Sequence, residues 1–231
     1  MNEKEIILKF FEITGNSRDS KIFLKNFQSQ SPEKFALIYA QADSLSDSFL
    51  SFSYDLKFLF NLNLLPSIII EKKSEDYLKN FFNSIAPVSL NTIQANGEIS
   101  GEIKKSISSG KIPVLIFDEK EFSIYDYLSK LTNELLVNKL IILREKSGLR
   151  EVWTDRNISM INLETDFEKI SNSNFLDDSD KSVLMNAKFI LDKSINSNLA
   201  IALTSPISLL KELFTIKGSG TFIKKGNRIR L

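Results

Sequence analysis

The stretch IPVLIFDEKEFSIYDYLSKLTNELLVNKLIIL, residues 112–143, contains the pattern that decides the fold. It begins with a continuous apolar run at 112–117 and ends with a second one at 139–143. Between these runs, apolar residues recur at helical spacing over about 124–136. Two apolar runs joined by a helix are typical of a β-α-β unit whose parallel strands are buried on both faces.

The same alternation of runs and helices extends outward from this unit. Strands are predicted at FALIYA (35–40), PSIII (66–70), NLAIAL (198–203) and TFIKK (221–225), and a small hairpin from Leu149–Trp153 and Ile158–Ile161. Helices are predicted at about 46–61, 75–82, 98–109, 180–193 and 206–214. The pattern indicates an α/β fold with three layers, in which helices cover both faces of a mainly parallel sheet.

Two amphipathic helices are predicted before the first strand, at 3–12 and 18–28. Phe10 lies on the apolar face of the first helix, and Phe23 and Phe27 lie on that of the second. We therefore expect an N-terminal helical arm over residues 1–30 and one domain over residues 31–231. The apolar faces of the arm pack on the domain's own core or form an interface between copies of the chain.

Composition excludes several classes of function. The 231 residues include 30 basic and 29 acidic ones, so a net charge of +1 gives no field that would attract nucleic acid or an acidic membrane. There is no cysteine and no histidine, which excludes disulfides, thiolate nucleophiles, Ser-His-Asp triads and the common zinc sites. No signal peptide or membrane-spanning run is evident in the sequence, and we expect a cytoplasmic protein.

Glycines are missing where an α/β protein would hold phosphate. A phosphate-binding turn needs glycine because the backbone N–H groups must approach the ligand closely. No glycine lies between Gly15 and Gly97, and the turns after the first two strands read Gln41-Ala42-Asp43 and Glu71-Lys72-Lys73. The residues alone therefore predict poor nucleotide binding.

The densest motif is ELFTIKGSGTFIKKG, residues 212–226. It predicts a helix that ends in a Gly-x-Gly turn, whose terminal carbonyl groups favour a cation. Glu212 has the carboxylate that would pair with a guanidinium group. The alternative from the residues alone is a helix C-terminus that turns into an edge strand.

This motif resembles the ELFT-x-x-G-x-G-T segment of arginine-sensitive acetylglutamate kinases. It is closer still to the kinase-like domain of bifunctional and vertebrate-type N-acetylglutamate synthases, and residues 17–38, 139–151 and 158–170 are similar to other segments of that family in the same order. The resemblance implies the amino-acid-kinase fold. It also implies L-arginine binding at Glu212, Gly218, Ser219 and Gly220, and an arm that completes this site and mediates oligomerisation.

The chain departs from the family at the catalytic positions. The family's Lys-x-Gly-Gly clamp, its Asn-Ala-Asp aspartate and its second catalytic lysine align with Tyr39, Gln41, Ala42, Tyr125 and Val183. Phosphoryl transfer depends on positioning and charge stabilisation, so a site without these groups is expected to be inactive. Asp126 lies one position beyond the aligned aspartate.

Three hypotheses follow from the resemblance and its departures. The first is a kinase-inactive regulatory domain of arginine biosynthesis that senses L-arginine, needs no cofactor and acts with an N-acetylglutamate synthase acetyltransferase supplied in trans, unless the chain is a fragment of a longer synthase. The second is an active acetylglutamate kinase that uses ATP and Mg²⁺, with Lys72 and Lys73 replacing the clamp. The third is an oligomerisation scaffold that binds no ligand.

Three aspartates, Asp177, Asp178 and Asp180, form the one acidic cluster that would suggest a metal site. They directly precede or begin a predicted helix, where negative charge is favoured by the helix dipole. We therefore expect no metal.

Overall fold

The structure, a computed structural model, describes Lys25 and residues 31–74, 88–92, 99–118, 123–172, 174–215 and 218–226. The arm residues Phe10, Phe23 and Phe27, and the helix predicted at 75–82, lie outside the described residues. The division into an arm over 1–30 and a domain over 31–231 therefore stays a prediction.

Eight strands form one sheet in the described part of the chain. In chain order they are β1 (Leu37–Ala40), β2 (Ser67–Glu71), β3 (Val88–Thr92), β4 (Ile112–Phe117), β5 (Lys139–Leu143), β6 (Met160–Asn162), β7 (Ala200–Thr204) and β8 (Thr221–Lys224). Their spatial order is β3-β4-β2-β1-β5-β7-β8-β6. The six strands from β3 to β7 in this order are mutually parallel, and β8 pairs with β7 in the antiparallel direction. The predicted mainly parallel sheet is confirmed.

Helices connect these strands. The described ones are α1 (Ala42–Leu45), α2 (Phe49–Asn61), α3 (Ser100–Ser108), α4 (Ile124–Leu135), α5 (Phe167–Asn172), α6 (Asp178–Lys193) and α7 (Leu209–Phe214). Helix α4 packs against α3 and α6, whereas α2 packs against α7. The rings of Phe58 and Phe214 meet edge to face in the second group, with centroids 6.4 Å apart.

The core lies along the central strands. Every residue of β1, β2, β4 and β7 is buried. Because successive side chains of a strand point to opposite faces, complete burial means that helices or loops cover both faces of these strands. This is the three-layer α/β architecture that the apolar runs predict.

Two predicted elements are wrong in part. The segment Leu149–Trp153 is not a continuous strand: Glu151 and Leu149 bond across the hairpin to Arg156 and Ile158, but the N–H of Val152 donates to the carbonyl of Phe175. A single antiparallel bridge, Arg150 with Asn157, remains of the predicted hairpin. The second predicted strand shifts to β6, which pairs in parallel with β8.

The predicted helix at 46–61 is confirmed as the single helix α2 but begins three residues later, after a turn over 46–48, and α1 lies before the predicted range. The predicted helix at 206–214 begins with a single 3₁₀ turn, Pro206–Ser208, before α7. Strand β3 and helix α5 were not predicted. No helix in the described ranges is long and apolar enough to cross a membrane.

Helix α6 begins at the acidic cluster. The carboxylate of Asp177 accepts the backbone N–H of Asp180 at 2.7 Å, and this is the side-chain cap of the helix. Asp180 is buried and pairs with Arg144. Among the described residues, no group of three or more acidic side chains is arranged to hold a metal ion.

The cap at Asp177 gives a first prediction. Asp177→Ala is expected to lower the free energy of unfolding at neutral pH by about 1 kcal/mol, because the N–H of Asp180 loses its acceptor. Asp177→Asn keeps an amide oxygen in the same place and is expected to unfold as the wild type does. Urea unfolding followed by circular dichroism measures both values, and equal stability of Asp177→Ala and the wild type would contradict the assignment.

The cap at Asp177 also predicts how the stability of the wild type depends on pH, with Asp177→Asn as the comparison in the same unfolding experiment. The N–H of Asp180 holds the pKa of Asp177 below its usual value of 3.8, with Lys146 acting in the same direction. A depressed pKa in the folded state contributes stability above the unfolded pKa, and this contribution is lost as the pH falls below about 3.8. Wild type is therefore expected to lose stability relative to Asp177→Asn over that acid range.

Candidate functional site

A cleft of about 460 Å³ opens at the carboxyl ends of β1, β2 and β5. It is lined by Ala42, Asp43, Leu45, Ser46, Phe49, Lys73, Ser74 and Glu145. The strands are parallel, so their carboxyl ends lie at one edge of the sheet, where α/β proteins commonly bind ligands. This is the edge at which the sequence places the degenerate clamp.

The centre of this edge is the carboxylate of Glu71, the last residue of β2. The hydroxyl of Tyr39 donates to Oε1 at 2.6 Å, and the N–H of Ala42 donates to Oε2 at 3.1 Å. The ammonium group of Lys73 lies 3.1 Å from Oε2 and 3.5 Å from Asp43. Glu71 is only 5% exposed, so the protein's own groups compensate its charge.

The predicted clamp positions therefore do meet, but around an anion that belongs to the chain. Ala42 offers its backbone N–H to Glu71, and the N–H of Gln41 donates to the carbonyl of Leu143 at 3.1 Å. The other lysine of the turn, Lys72, pairs with Asp118 at 2.8 Å. A phosphate group placed here would meet a carboxylate at close range, and like charges repel strongly where water is excluded.

Tyr125 and Val183, the remaining degenerate positions, differ in their surroundings. Tyr125 is half-buried on α4, where burial raises the pKa of its hydroxyl, and the side chain of Asn186 opposes that rise by a hydrogen bond. Val183 is buried in the core on α6. The neighbouring Asp126 is exposed to solvent, and its Oδ1 lies 3.8 Å from the ammonium nitrogen of Lys193.

A buried ion pair next to this edge was not predicted. Arg144, which follows β5, donates to Asp180 at 2.7 Å, and the two residues are 6% and 1% exposed. The second oxygen of Asp180 accepts the backbone N–H of Arg150 at 3.1 Å. The pair joins the end of β5 to the first turn of α6, and 36 positions separate the two partners in the sequence.

A second buried carboxylate, Glu212, lies in the C-terminal motif. Its Oε2 accepts the backbone N–H groups of Ser219 and Gly220 at 3.0 and 3.3 Å. Its Oε1 lies 3.5 Å from the ammonium group of Lys139, which also donates to the backbone carbonyl of Glu212 at 2.7 Å. Glu212 is 3% exposed and Lys139 begins β5. The motif thus folds around an ion pair that the sequence did not reveal.

The turn requires glycine at positions 218 and 220 because other atoms of the protein approach both residues closely. A Cβ atom on Gly218, whose φ is +59°, would lie 2.4 Å from the Glu212 carboxylate. A Cβ atom on Gly220 would lie 1.8 Å from the backbone oxygen of Leu203. Only glycine leaves room for the carboxylate on one side and for β7 on the other.

Hydroxyl and amide groups attach this turn to the segment after β5. The Ser147 hydroxyl donates to the carbonyl of Ser219 at 3.2 Å, and Thr204 lies 3.3 Å from the Ser219 hydroxyl. The Asn157 side-chain amide donates to the carbonyl of Gly220 at 3.0 Å. All four predicted arginine-site residues, Glu212, Gly218, Ser219 and Gly220, therefore lie together at one turn.

The chain has relatives of known type. The mitochondrial protein arg-6 of Neurospora crassa is 22% identical over 292 residues, which cover 100% of this chain and 33% of the relative. An acetylglutamate kinase of Xanthomonas campestris is 28% identical over 134 residues, covering 55% of this chain and 31% of the kinase. No protein-family model matches. The chain spans about a third of the length of these curated relatives.

Solved structures show the fold. N-acetylglutamate synthase from Neisseria gonorrhoeae, complexed with coenzyme A and L-arginine, superposes with a TM-score of 0.71 at 10% identity, covering 90% of this chain and 64% of the synthase. The carbamate kinase of Giardia superposes with a TM-score of 0.62 at 10% identity, over 83% of this chain and 98% of the kinase. The amino-acid-kinase fold and the relationship to acetylglutamate kinases are thereby confirmed.

The close approach at Gly220 gives a second prediction. Gly220→Ala is expected to lower the free energy of unfolding by at least about 3 kcal/mol, because the added methyl group overlaps the backbone of β7. Gly101→Ala is the matched control, since nothing lies within 4 Å of the added atom on α3. The control is expected to be neutral or stabilising by up to about 1 kcal/mol. Thermal and urea unfolding of the two variants test this prediction. A Gly220→Ala chain as stable as the control would refute the close packing of Gly220 against β7.

Proposed function

We propose, from the relationship to acetylglutamate kinases, that this chain is a regulatory domain of arginine biosynthesis that transfers no phosphate and senses L-arginine. The observation that carries the proposal is the buried carboxylate of Glu71, which takes the Ala42 N–H and the Tyr39 hydroxyl. Tyr39 and Ala42 are two of the positions that align with the family's phosphate clamp. The fold is that of the kinases, and the N–H group and the hydroxyl at two of the clamp positions are already bonded to a carboxylate of the chain.

Charge supports the absence of phosphoryl transfer. A kinase stabilises the charge that spreads over the transferred phosphoryl group, and it does so with lysines, glycine-rich backbone and Mg²⁺. Here the lysines nearest the cleft, Lys72 and Lys73, are paired with carboxylates of the chain. Val183 stands in the core at the position aligned with the second lysine. No cofactor is expected.

The C-terminal motif supports the arginine proposal. Glu212 supplies a buried negative charge, and helix α7 ends beside it with carbonyl groups that attract a cation. A guanidinium group matches a carboxylate and a carbonyl acceptor in one plane better than an ammonium group does. The structural neighbour from Neisseria gonorrhoeae was solved with L-arginine. We therefore propose Glu212, Gly218, Ser219 and Gly220 as the arginine site.

The partners follow from the same relationship. The synthase neighbour was solved with coenzyme A, and this chain covers 64% of it. We propose that acetyl transfer belongs to an N-acetylglutamate synthase acetyltransferase that acts with this chain, and that the N-terminal arm forms a homo-oligomer. The fungal relatives are named as mitochondrial proteins. A cytoplasmic location therefore stays a prediction.

Active acetylglutamate kinase is the alternative that one observation favours. The cleft of about 460 Å³ is open at the correct edge of the sheet, and Lys73 lies in its wall. An active enzyme would have to move Lys73 away from Glu71 and Asp43 toward a phosphate group. The third hypothesis, a scaffold without ligand, is an outcome of the experiment below.

Calorimetric titration tests the proposal. L-arginine is expected to bind the wild type with micromolar affinity, and Glu212→Gln is expected to abolish this binding because a neutral amide does not attract the guanidinium group. Glu168→Gln neutralises an exposed carboxylate on α5 and is expected to bind like the wild type. Circular dichroism of each variant verifies that it is folded. If titration of the wild type with L-arginine gives no binding heat, the hypothesis of a scaffold without ligand is favoured.

Phosphoryl transfer is measured separately. ADP release from ATP, Mg²⁺ and N-acetyl-L-glutamate is expected to stay at the background rate, with the Xanthomonas campestris acetylglutamate kinase as the positive control. ATP is expected to give no calorimetric signal. ADP release above background that disappears in Lys73→Met would establish the kinase alternative instead.

A further inference from the structure

The Glu212 carboxylate is fixed in place from one side. Its Oε2 accepts two backbone N–H groups of the glycine turn, so the side chain cannot rotate without breaking both hydrogen bonds. Gly218 lies directly against the carboxylate, since a Cβ atom there would lie 2.4 Å from Oε2. Its Oε1 is therefore held toward Lys139.

The space beside Oε1 has the character of a cation site. It is bounded by that oxygen and by the backbone carbonyl of Glu212, one of the last four carbonyl groups of α7, which have no partner within the helix. The Lys139 ammonium group lies 2.7 Å from the carbonyl and 3.5 Å from Oε1. Its distance to the centre of the Phe222 ring is 5.9 Å, which adds the attraction of a ring face for a cation. A carboxylate, a carbonyl and an aromatic ring thus surround one positive charge.

The cation in this site comes from a distant part of the chain. Lys139 lies 73 positions before Glu212 and reaches the site from the start of β5 through a flexible four-carbon stem. Its side chain keeps 20% of its surface exposed, so solvent reaches the site along that side. Burial lowers the pKa of Lys139, and the Glu212 carboxylate opposes this shift. The ammonium group is therefore held against a desolvation cost, and a guanidinium group, which is more weakly hydrated, would meet a smaller one.

We propose that Lys139 is a built-in occupant of the cation site at Glu212, and that a ligand with a guanidinium or alkylammonium group binds there by displacing it. The part of this inference that concerns arginine rests on the proposed function. Lys139 then sets the arginine concentration to which the chain responds, because a ligand that competes with a tethered group binds with a reduced apparent affinity.

The first test refills the site without arginine. Lys139→Ala removes three methylene groups and the ammonium group, which are the atoms of propylammonium. Propylammonium chloride at millimolar concentration is expected to raise the melting temperature of Lys139→Ala by a few degrees in a saturable manner, because a ligand of the native state stabilises it. Sodium chloride at equal ionic strength is the control for salt and is expected to give no saturable rise.

Three control chains make the test specific. Wild type already fills the site, Lys139→Met fills its space without charge, and Lys139→Ala with Glu212→Gln removes the anion. Lys139→Met and the double variant are not expected to respond to propylammonium, and the wild type is expected to respond only at a higher concentration, because its Lys139 competes for the site. A response of Lys139→Met equal to that of Lys139→Ala, or no response of Lys139→Ala, would overturn the inference. If Lys139→Ala does not fold alone, it can be refolded in propylammonium chloride or in sodium chloride. A higher yield of folded chain with propylammonium then supports the inference, and equal yields overturn it.

Arginine affinity separates this inference from the proposed function. L-arginine is expected to bind Lys139→Ala about tenfold more tightly than it binds the wild type, since the internal competitor is gone. Weaker binding by Lys139→Ala would mean that Lys139 contacts the ligand, which overturns the inference and leaves the arginine proposal standing. Rescue by propylammonium in a chain whose wild type ignores arginine would support the cation site and refute the arginine proposal.

Discussion

The parallel pairing of β1 with β2 and β5 is the constraint on which the other features depend. Parallel strands that are buried on both faces leave no room for charge along their length, so charged residues gather where the strands begin and end. Glu71 ends β2, and Lys139 begins β5. Each is screened from water by neighbouring elements and is compensated within the protein, because an uncompensated buried charge is strongly destabilising.

The two compensated carboxylates differ in what surrounds them. Glu71 is met by a hydroxyl, a backbone N–H group and an ammonium group that come from three segments near the open cleft. Glu212 is met by two N–H groups of its own turn and by one distant lysine. The first arrangement occupies the edge at which an amino-acid kinase would handle phosphate. In both arrangements a lysine side chain brings the positive charge, and in the second a backbone carbonyl and an aromatic ring also face it, which makes the second suitable for exchange with a cationic ligand.

The sheet could be predicted from the sequence wherever a strand is a continuous apolar run. The runs at 112–117 and 139–143 match β4 and β5 residue for residue. Strand β3 escaped prediction because its sequence, VSLNT, interrupts the apolar residues with serine and asparagine. The hairpin is shorter than predicted, and the N–H of Val152 pairs with Phe175, a contact that no local pattern reveals.

The sites were less predictable, for a related reason. The turn 218–220 could be located from its glycines, and the missing clamp from their absence after β1. Glu71 bonds to Tyr39 across 32 positions, Asp180 to Arg144 across 36, and Lys139 reaches Glu212 across 73, and only the fold closes these separations. Glu71 itself, followed by two lysines, has the pattern of a solvated loop, yet it is buried.

The arrangement around Glu71 also bears on how such a chain can evolve. Tyr39, Ala42 and Glu71 satisfy one another, so a glycine at position 42 or a lysine at position 39 would still face a buried carboxylate. Replacing Glu71 first would leave the hydroxyl of Tyr39 and the N–H of Ala42 without their acceptor. A phosphate-binding turn therefore requires the replacement of Glu71 together with changes at both of these partners. Because the three residues depend on one another, no single substitution among them converts this edge of the sheet into a phosphate site.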